Sequence, residues 1–420
     1  MSPGPKVVHA PGEPSPTAYD VERVRSHFPA LAAGAAHFDA PGGTQTPDVV
    51  AGAVRDTLLA PIANRGTVTP AEQRAEAVVA ECRAALGDLL GADPRGIVFG
   101  RSATALTYDL SRALARTWAP GDEVVVTRLD HDANVRPWVQ AAAAVGAVVR
   151  WADFDPATGE LSVEAVASLL SPRTRLVAVT AASNLIGTRP PVAQIARAAH
   201  EAGALVWVDG VHATAHASVD VARLGADFWA CSPYKFLGPH CGVVAAAPAL
   251  LADLRMDKLL PSTDDVPERF ELGTLPYELM AGTTAAIDFL AGLARGAGAA
   301  DTSRRAHLLR SYAVLEAHED RLRSRLEPVL RELPGVTVYS NAGARTPTML
   351  FRIDGWDSQE VRKALAAKGI NAPAGHFYAI ECSRHLGLAD EGGVRVGLAP
   401  YSSDEDIDRL ISALQEITRI

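Results

Sequence analysis

Short runs of apolar residues alternate with amphipathic stretches through the middle of the chain. The apolar runs predict strands at 97–99, 123–126, 148–151, 176–179, 205–208, 228–230 and 243–245. Apolar positions at helical spacing, for example within 102–117 and 191–202, predict helices between several of these strands. Nearly continuous apolar strands that alternate with helices are typical of a mostly parallel sheet covered on both faces. This region therefore predicts an α/β fold.

The pattern changes after about residue 290. The elements predicted beyond this point are a long charged helix at about 302–331, strands at 336–339 and 349–352, a helix near 357–368, a strand at 394–397 and a closing helix at 403–417. We therefore expect a large domain over 19–290 and a small α+β domain over 291–420. An N-terminal segment of the large domain that packs on the small one is compatible with this division. The first 18 residues are rich in Pro, Gly and Ser and predict a disordered lead.

Composition narrows the class of protein. Of the 420 residues 48% are hydrophobic and 21% charged, which is typical of a soluble globular protein. The net charge of −9 argues against a nucleic-acid partner, and no apolar run is long enough to span a bilayer. The N-terminus lacks the pattern of a signal peptide. The four scattered cysteines form no disulfide or metal-binding pattern, so we expect a cytoplasmic protein without a metal or a membrane partner.

Two polar residues lie just beyond predicted strands. Lys235 follows the strand at 228–230, and Asp209 ends the strand at 205–208. An amine and a carboxylate at the ends of two buried strands suit pyridoxal phosphate. The amine forms an imine with the cofactor aldehyde, and the carboxylate keeps the ring nitrogen protonated. Either residue alone is more simply a surface lysine or a strand-capping aspartate.

Other strand ends carry chemically compatible groups. Arg101–Thr104 opens a helix whose N–H groups could hold a phosphate, and an imidazole in Asp130–Asn134 could stack on a flat ring. Ser183–Asn184 offers an amide donor, and His212 and Ser232 lie close to Asp209 and Lys235 in sequence. Each group alone is ordinary cap or turn chemistry. Together they predict a ligand site at the carboxyl edge of the sheet.

Seven ordered motifs within residues 28–417 carry a family resemblance. They are Phe38–Gln45, Asp130–Asn134 with Pro137–Trp138, Ser183–Thr188, Asp209–His212, Ser232–Lys235, Glu271–Thr274 and Val394–Gly397. With them the chain resembles the class V aminotransferase-like enzymes that depend on pyridoxal phosphate, in particular the cysteine desulfurase-like subgroup. The resemblance implies fold type I of these enzymes, with a mainly parallel seven-stranded sheet and a small C-terminal domain.

The resemblance also implies a role for each matching residue. Lys235 resembles the Schiff-base lysine, Asp209 the partner of the ring nitrogen and His131 the residue that stacks on the ring, and these three are the predicted catalytic residues. The remaining predicted cofactor-binding residues are Ser102, Ala103, Thr104 and Ser232 at the phosphate, Asn184 and His212 at the phenolate oxygen, and Gly273 and Thr274. In relatives the last two reach the phosphate of a neighbouring subunit, which implies a homodimer with shared active sites. The predicted substrate-binding residues are Arg395, Asn184, His376 and Tyr378, and Arg395 resembles the arginine that binds the substrate carboxylate.

The chain departs from the resemblance at the residue that accepts sulfur. Desulfurases use a mobile cysteine, whereas the corresponding Gly375–Ala379 stretch has Tyr378 at the thiol position. Cys382 lies four residues further on. His212 replaces a usual glutamine, and Tyr234 a usual histidine.

These departures favour a lyase. We expect α,β-elimination from cysteine, or from an S-substituted or S-sulfanyl cysteine, with Lys235 removing the α-proton and Tyr378 or His376 protonating the leaving sulfur. The products would be a thiol, sulfide or persulfide together with pyruvate and ammonia. A desulfurase that uses Cys382, an aminotransferase or epimerase, and a cofactor-binding regulator remain alternatives. The sequence leaves the distal group of the substrate open.

Overall fold

The computed structural model of the protein describes residues 19–294 and 303–418, and the predicted disordered lead lies outside these ranges. The β-strands of the described part are β1 (Ala36–His37), β2 (Ile97–Gly100), β3 (Glu123–Thr127), β4 (Val148–Ala152), β5 (Thr174–Thr180), β6 (Leu205–Asp209), β7 (Phe228–Cys231), β8 (Gly242–Ala246), β9 (Val336–Val338), β10 (Thr348–Ile353), β11 (Ile370–Asn371), β12 (Ala374–Gly375) and β13 (Gly393–Gly397). The α-helices of the same part are α1 (Val21–Arg25), α2 (Asp48–Leu59), α3 (Pro70–Leu90), α4 (Ala103–Ala115), α5 (Arg136–Val145), α6 (Val163–Ala167), α7 (Val192–Glu201), α8 (Ala213–His216), α9 (Val221–Leu224), α10 (Pro248–Asp253), α11 (Tyr277–Ala291), α12 (Arg304–Glu332), α13 (Ser358–Ala366), α14 (Ile380–His385) and α15 (Asp404–Ile417).

Strands β2 to β8 form the central sheet in the order β2-β8-β7-β6-β5-β3-β4. Strands β3 to β7 run parallel, and β8 is antiparallel to both of its neighbours. The prediction of a mainly parallel seven-stranded sheet is therefore confirmed. Side chains alternate between two buried clusters, so that Val206 and Val208 of β6 lie on one face and Trp207 on the other. Burial of each large apolar side chain contributes on the order of 2 kcal/mol.

The carboxyl ends of β2 to β7 meet at one edge of this sheet, because β8 is antiparallel to both β2 and β7. Helix α4 begins at this edge, where the side chain of Ser102 accepts a hydrogen bond from the backbone N–H of Ala105. Strand β8 begins directly beneath the start of the helix. A Cβ atom on Gly242 would lie 2.1 Å from the carbonyl carbon of Ser102, so only glycine fits there.

The C-terminal part contains a second, antiparallel sheet in the order β12-β13-β10-β9. Helices α12, α13 and α15 bury leucines and isoleucines against it. The N-terminal segment joins this part, because β1 pairs in parallel with β11. The predicted boundary near residue 290 falls at the end of α11. None of the described helices combines the length and apolarity needed to cross a membrane.

Candidate active site

A cavity of about 670 Å³ opens at the carboxyl edge of the central sheet. Ten of the predicted site residues line it, namely Ala103, Thr104, His131, Asn184, Asp209, His212, Ser232, Lys235, Tyr378 and Arg395. They follow β2, β3, β5, β6 and β7 or come from the C-terminal part. Residues far apart in the chain are thus brought to one place by the parallel order of the strands. Among the described residues, no group of three or more His, Cys, Asp or Glu side chains could hold a metal ion.

Lys235 is a largely enclosed amine in the turn after β7. Its Nζ atom donates hydrogen bonds to the carbonyl oxygens of Pro41 (2.5 Å) and Gly42 (2.9 Å). Burial lowers the pKa of Lys235 to about 7, and the nearby cation of Arg395 acts in the same direction. A substantial fraction of this amine is therefore unprotonated near neutral pH, and the unprotonated amine is the nucleophilic and basic form.

Asp209 ends β6, and its Oδ1 atom accepts a hydrogen bond of 2.9 Å from the backbone N–H of Val211. Burial raises the pKa of Asp209 to about 6, against the opposing effects of that hydrogen bond and of Lys235. A carboxylate in this position is poised to pair with a cation, because it gains more from a positive charge here than it would in water.

The turn after β3 presents the ring of His131 to the cavity. Asp130 at the start of the turn is buried and accepts hydrogen bonds from Asn134 (2.6 Å) and Thr127. The Nδ1 atom of His131 accepts the backbone N–H of Ala133 at 3.0 Å. Burial lowers the pKa of His131 to about 4, so the ring is neutral and suited to stacking.

Arg395 of β13 is fully buried, and its guanidinium already has partners. Nη2 donates to Asp39 Oδ1 at 2.8 Å, and Nη1 donates to the carbonyl oxygen of Asn184 at 3.0 Å. The ring of Phe377 lies 3.7 Å from the guanidinium carbon. The Nε atom is buried without a partner in the described part of the chain, as is the Oδ1 atom of Asn184. The site therefore retains donor and acceptor capacity for a ligand.

Residues 375–378, named the lid segment here, cover the cavity between Arg395 and His131. The carbonyl oxygen of Phe377 accepts from Asn184 Nδ2 at 3.0 Å, and that of Tyr378 accepts from the backbone N–H of Asp132 at 2.7 Å. The ring of Tyr378 stacks on His131, with 5.5 Å between the centroids. Phe377 and Tyr378 both have positive φ angles, of 50° and 61°. These contacts hold two residues in a conformation that non-glycine residues rarely adopt.

Four of the predicted site residues do not line the cavity. Ser102 turns its hydroxyl onto the start of α4 instead. His376 lies in an outer groove beside Asp357 and Glu391, which adjoins the cavity. Its Nδ1 atom accepts the backbone N–H of Tyr378 at 3.2 Å. Gly273 and Thr274 are exposed on a surface loop and do not line the cavity of their own chain.

Several residues that line the cavity were not predicted from the sequence. Thr107 and Tyr108 follow Thr104 at spacings of three and four on α4, and this helical spacing would have placed them on the same face. Arg136, held by Asp132 at 2.7 Å, lies one turn beyond that residue. Asp39 had no local signal, because its contact with Arg395 spans 356 positions.

Comparison with known proteins agrees with this geometry. The family model for aminotransferase class-V matches residues 36–410. An uncharacterized protein of Mycobacterium tuberculosis is 36% identical over 402 residues, which cover 95% of this chain and all of that protein. A cysteine desulfurase of Dickeya dadantii is 33% identical over 96% of this chain and 98% of its own. The crystal structure of the cysteine desulfurase CsdA from Escherichia coli superposes with a TM-score of 0.83 at 26% identity, covering 96% of this chain and 99% of that chain.

The residues present fit pyridoxal phosphate. The start of α4 at Ala103 and Thr104 offers backbone N–H groups to a phosphate, Lys235 is a partly neutral amine, and Asp209 is a buried carboxylate suited to a ring cation. His131 supplies a neutral ring to one side of the cavity. With a family model that covers most of its length and relatives that match from end to end, the chain belongs to the class V aminotransferase family and is a pyridoxal-phosphate-dependent enzyme.

Proposed function

We propose that the protein is a lyase that cleaves the C–S bond of cysteine, or of an S-substituted or S-sulfanyl cysteine, by α,β-elimination. The observation that carries this proposal is the joint position of Lys235, Asp209 and Arg395 on one cavity, which has no cysteine among the described residues that line it. A base, a buried carboxylate and a carboxylate-binding cation are the groups that elimination from an amino acid requires.

The bound cofactor would supply an electron sink for the α-carbon of the substrate. Arg395 binds the substrate carboxylate, which must replace or share the Asp39 partner of the guanidinium. Lys235 Nζ then takes the α-proton, a task suited to an amine with a pKa of about 7. The carboxylate of Asp209 would pair with the ring nitrogen of the cofactor and keep that nitrogen protonated. The C–S bond breaks with its electron pair on sulfur, and water converts the three-carbon remainder to pyruvate and ammonia.

Tyr378 is the better of the two candidates for protonating the leaving sulfur. Its side chain is 70% exposed at the mouth of the cavity and contacts His131. The ring of His376 lines the outer groove instead. A phenol at this position donates a proton but cannot accept sulfur to form a persulfide.

Transfer of sulfur to Cys382 is the closest rival reaction, and the surroundings of Cys382 disfavour it. The thiol is fully buried in α14, and burial raises its pKa above the ordinary range. Sulfur transfer needs an exposed thiolate. Cys382 would therefore have to leave its buried position before its thiol could accept sulfur.

A homodimer with shared active sites is part of this proposal. Leu58 and Leu59 of α2 and Leu260 and Leu272 of the 255–276 loop are exposed, with Leu59 at 78% and Leu260 at 97%. Large exposed apolar side chains are common where a surface is covered by a partner. The loop also carries Gly273, which the resemblance places at the phosphate of the neighbouring subunit. All four cysteines are buried and unpaired, which suits the cytoplasmic location that we include in the proposal.

The experiment that tests the reaction is incubation of the cofactor-loaded enzyme with a panel of cysteine derivatives, with assays for sulfide, alanine and pyruvate. Pyruvate without a requirement for an α-keto acid supports elimination, whereas alanine indicates desulfuration. In parallel, Cys382→Ala is compared with Cys82→Ala, a second fully buried cysteine in α3. Both variants should retain sulfur release, and loss in Cys382→Ala alone would favour the desulfurase.

A further inference from the structure

The two ring nitrogens of His212 face different surroundings. Nε2 lies 2.9 Å from Thr346 Oγ1 and 3.1 Å from Thr348 Oγ1, and both threonines belong to the C-terminal part, at and just before the start of β10. Nδ1 has no hydrogen bond to a described residue. It is also absent from the buried polar atoms that lack a partner in the described part of the chain, so it is not fully buried. Since His212 lines the cavity, Nδ1 opens onto it.

The surrounding hydrogen bonds decide which nitrogen carries the proton. Burial lowers the pKa of His212, with further contributions from His216, Arg395 and Lys235, so the ring is neutral and has a single N–H. Thr348 is fully buried, and among the described residues its hydroxyl has a hydrogen bond only to His212 Nε2.

A hydroxyl proton without an acceptor is costly in such a place, so the Thr348 hydroxyl donates to Nε2. The hydroxyl of Thr346 has a second acceptor, the carbonyl oxygen of Gly187 at 3.4 Å. Nε2 is therefore an acceptor, and the ring proton lies on Nδ1.

We propose that Thr348, supported by Thr346, is a positioning residue that holds His212 in the tautomer with its proton on Nδ1, so that His212 offers the cavity a neutral hydrogen-bond donor. This rests on the proposed function and on the contact with the phenolate oxygen of the cofactor that the family resemblance implies for His212. A glutamine amide, the usual group at this position, has two N–H donors and can turn one of them toward the ligand by rotation. A histidine offers one in a single tautomer, and in the other it would turn a lone pair toward the phenolate.

The test is a spectrophotometric pH titration of the cofactor-loaded protein and of Thr348→Val, which has nearly the same shape but no hydroxyl. In the variant, His212 donates a weaker hydrogen bond to the phenolate oxygen, so this oxygen keeps more negative charge. The neighbouring proton of the chromophore is then held more tightly and is lost at a higher pH. The midpoint of the visible absorbance change should therefore rise by about 0.5 to 1 pH unit, the size of one net hydrogen bond. His216, Arg395 and Lys235, the charged and titratable groups that face His212, are unchanged in the variant.

Three further variants make the result specific. Thr348→Ser keeps the hydroxyl and should restore the wild-type midpoint. Thr174→Val removes a fully buried hydroxyl at the start of β5, the opposite end of the strands, and should leave the midpoint unchanged. In a His212→Gln background the change Thr348→Val should add no shift, because an amide has no tautomer to select. Thr346→Val should give a smaller rise and takes over the test if Thr348→Val does not fold.

An unchanged midpoint in folded Thr348→Val and Thr346→Val, an equal shift in Thr174→Val, or the same shift with glutamine at position 212 would each overturn the inference. A wild-type protein that gains no visible absorbance from pyridoxal phosphate would instead overturn the proposed use of the cavity. The two failures are therefore distinguishable.

Discussion

Replacing Lys235 with methionine should stabilise the cofactor-free protein at neutral pH, because the fold places this amine where its charge is disfavoured. Burial lowers its pKa from an ordinary 10.5 to about 7. One pKa unit corresponds to about 1.4 kcal/mol, so at pH 7 the folded state carries a penalty of up to about 4 kcal/mol relative to the unfolded chain. Loss of the hydrogen bonds to Pro41 and Gly42 offsets about 2 kcal/mol of the gain. The expected net increase in the free energy of unfolding is about 2 kcal/mol.

The pH dependence of this difference gives the sharper signature. The folded pKa of Lys235 lies below the unfolded value, so between pH 7 and pH 10 the unfolded chain binds more protons than the folded one. Unfolding of the wild type therefore becomes less favourable as the pH rises, by up to about 1.4 kcal/mol per unit from this group. Lys235→Met lacks this contribution. Its advantage should shrink as the pH rises, vanish near pH 9 and turn into a deficit of about 1 kcal/mol at pH 10, where the loss of the two hydrogen bonds outweighs the remaining penalty.

The assay is denaturant-induced unfolding of the cofactor-free proteins at one protein concentration and at several pH values from 7 to 10. Lys368→Met is the control variant, because it removes an exposed lysine and so measures the effect of losing a cation at the surface. A difference between wild type and Lys235→Met that stays constant across this range would refute the reasoning. It would mean that the Lys235 amine keeps its ordinary pKa in the folded protein.

Two further substitutions test the contacts around the site. Arg83→Met should lower the free energy of unfolding by about 3–5 kcal/mol, because it removes the cation that lies 2.7 Å from the nearly buried carboxylate of Glu271. Thermal unfolding measures this loss. A loss below about 1 kcal/mol, as for an exposed ion pair, would contradict the expectation. Phe377→Ala should raise the KM for the amino-acid substrate several-fold with little change in kcat, because water then reaches the guanidinium of Arg395. An unchanged KM in steady-state kinetics would show that the ring does not shield the guanidinium.

The central sheet was predictable from the sequence because a buried parallel strand is a continuous apolar run that local inspection finds. Each of the seven predicted strands corresponds to one strand of the sheet. Groups such as Lys235 and Asp209 were found for the same reason, since the end of a strand fixes their place at the sheet edge. The contact between Asp39 and Arg395 was not predictable, because it depends on the packing of segments 356 positions apart. The position of His376 outside the cavity was not predictable either, because it depends on the positive φ angles of Phe377 and Tyr378, which are rare for these residue types.

The strain in the lid segment bears on how an elimination product would leave. Phe377 and Tyr378 each cost about 1–2 kcal/mol in a left-handed conformation. The hydrogen bonds to their carbonyl oxygens from Asn184 and Asp132 return about 1 kcal/mol each, and the contact with Arg395 adds a similar amount. The cost and the return nearly cancel, so we expect opening of the lid segment to require little energy. In a desulfurase the sulfur passes to a residue of the protein, whereas a lyase must release it through the mouth of the cavity. A lid that closes weakly suits the second requirement, because each turnover would need it to open for the sulfur product as well as for the substrate.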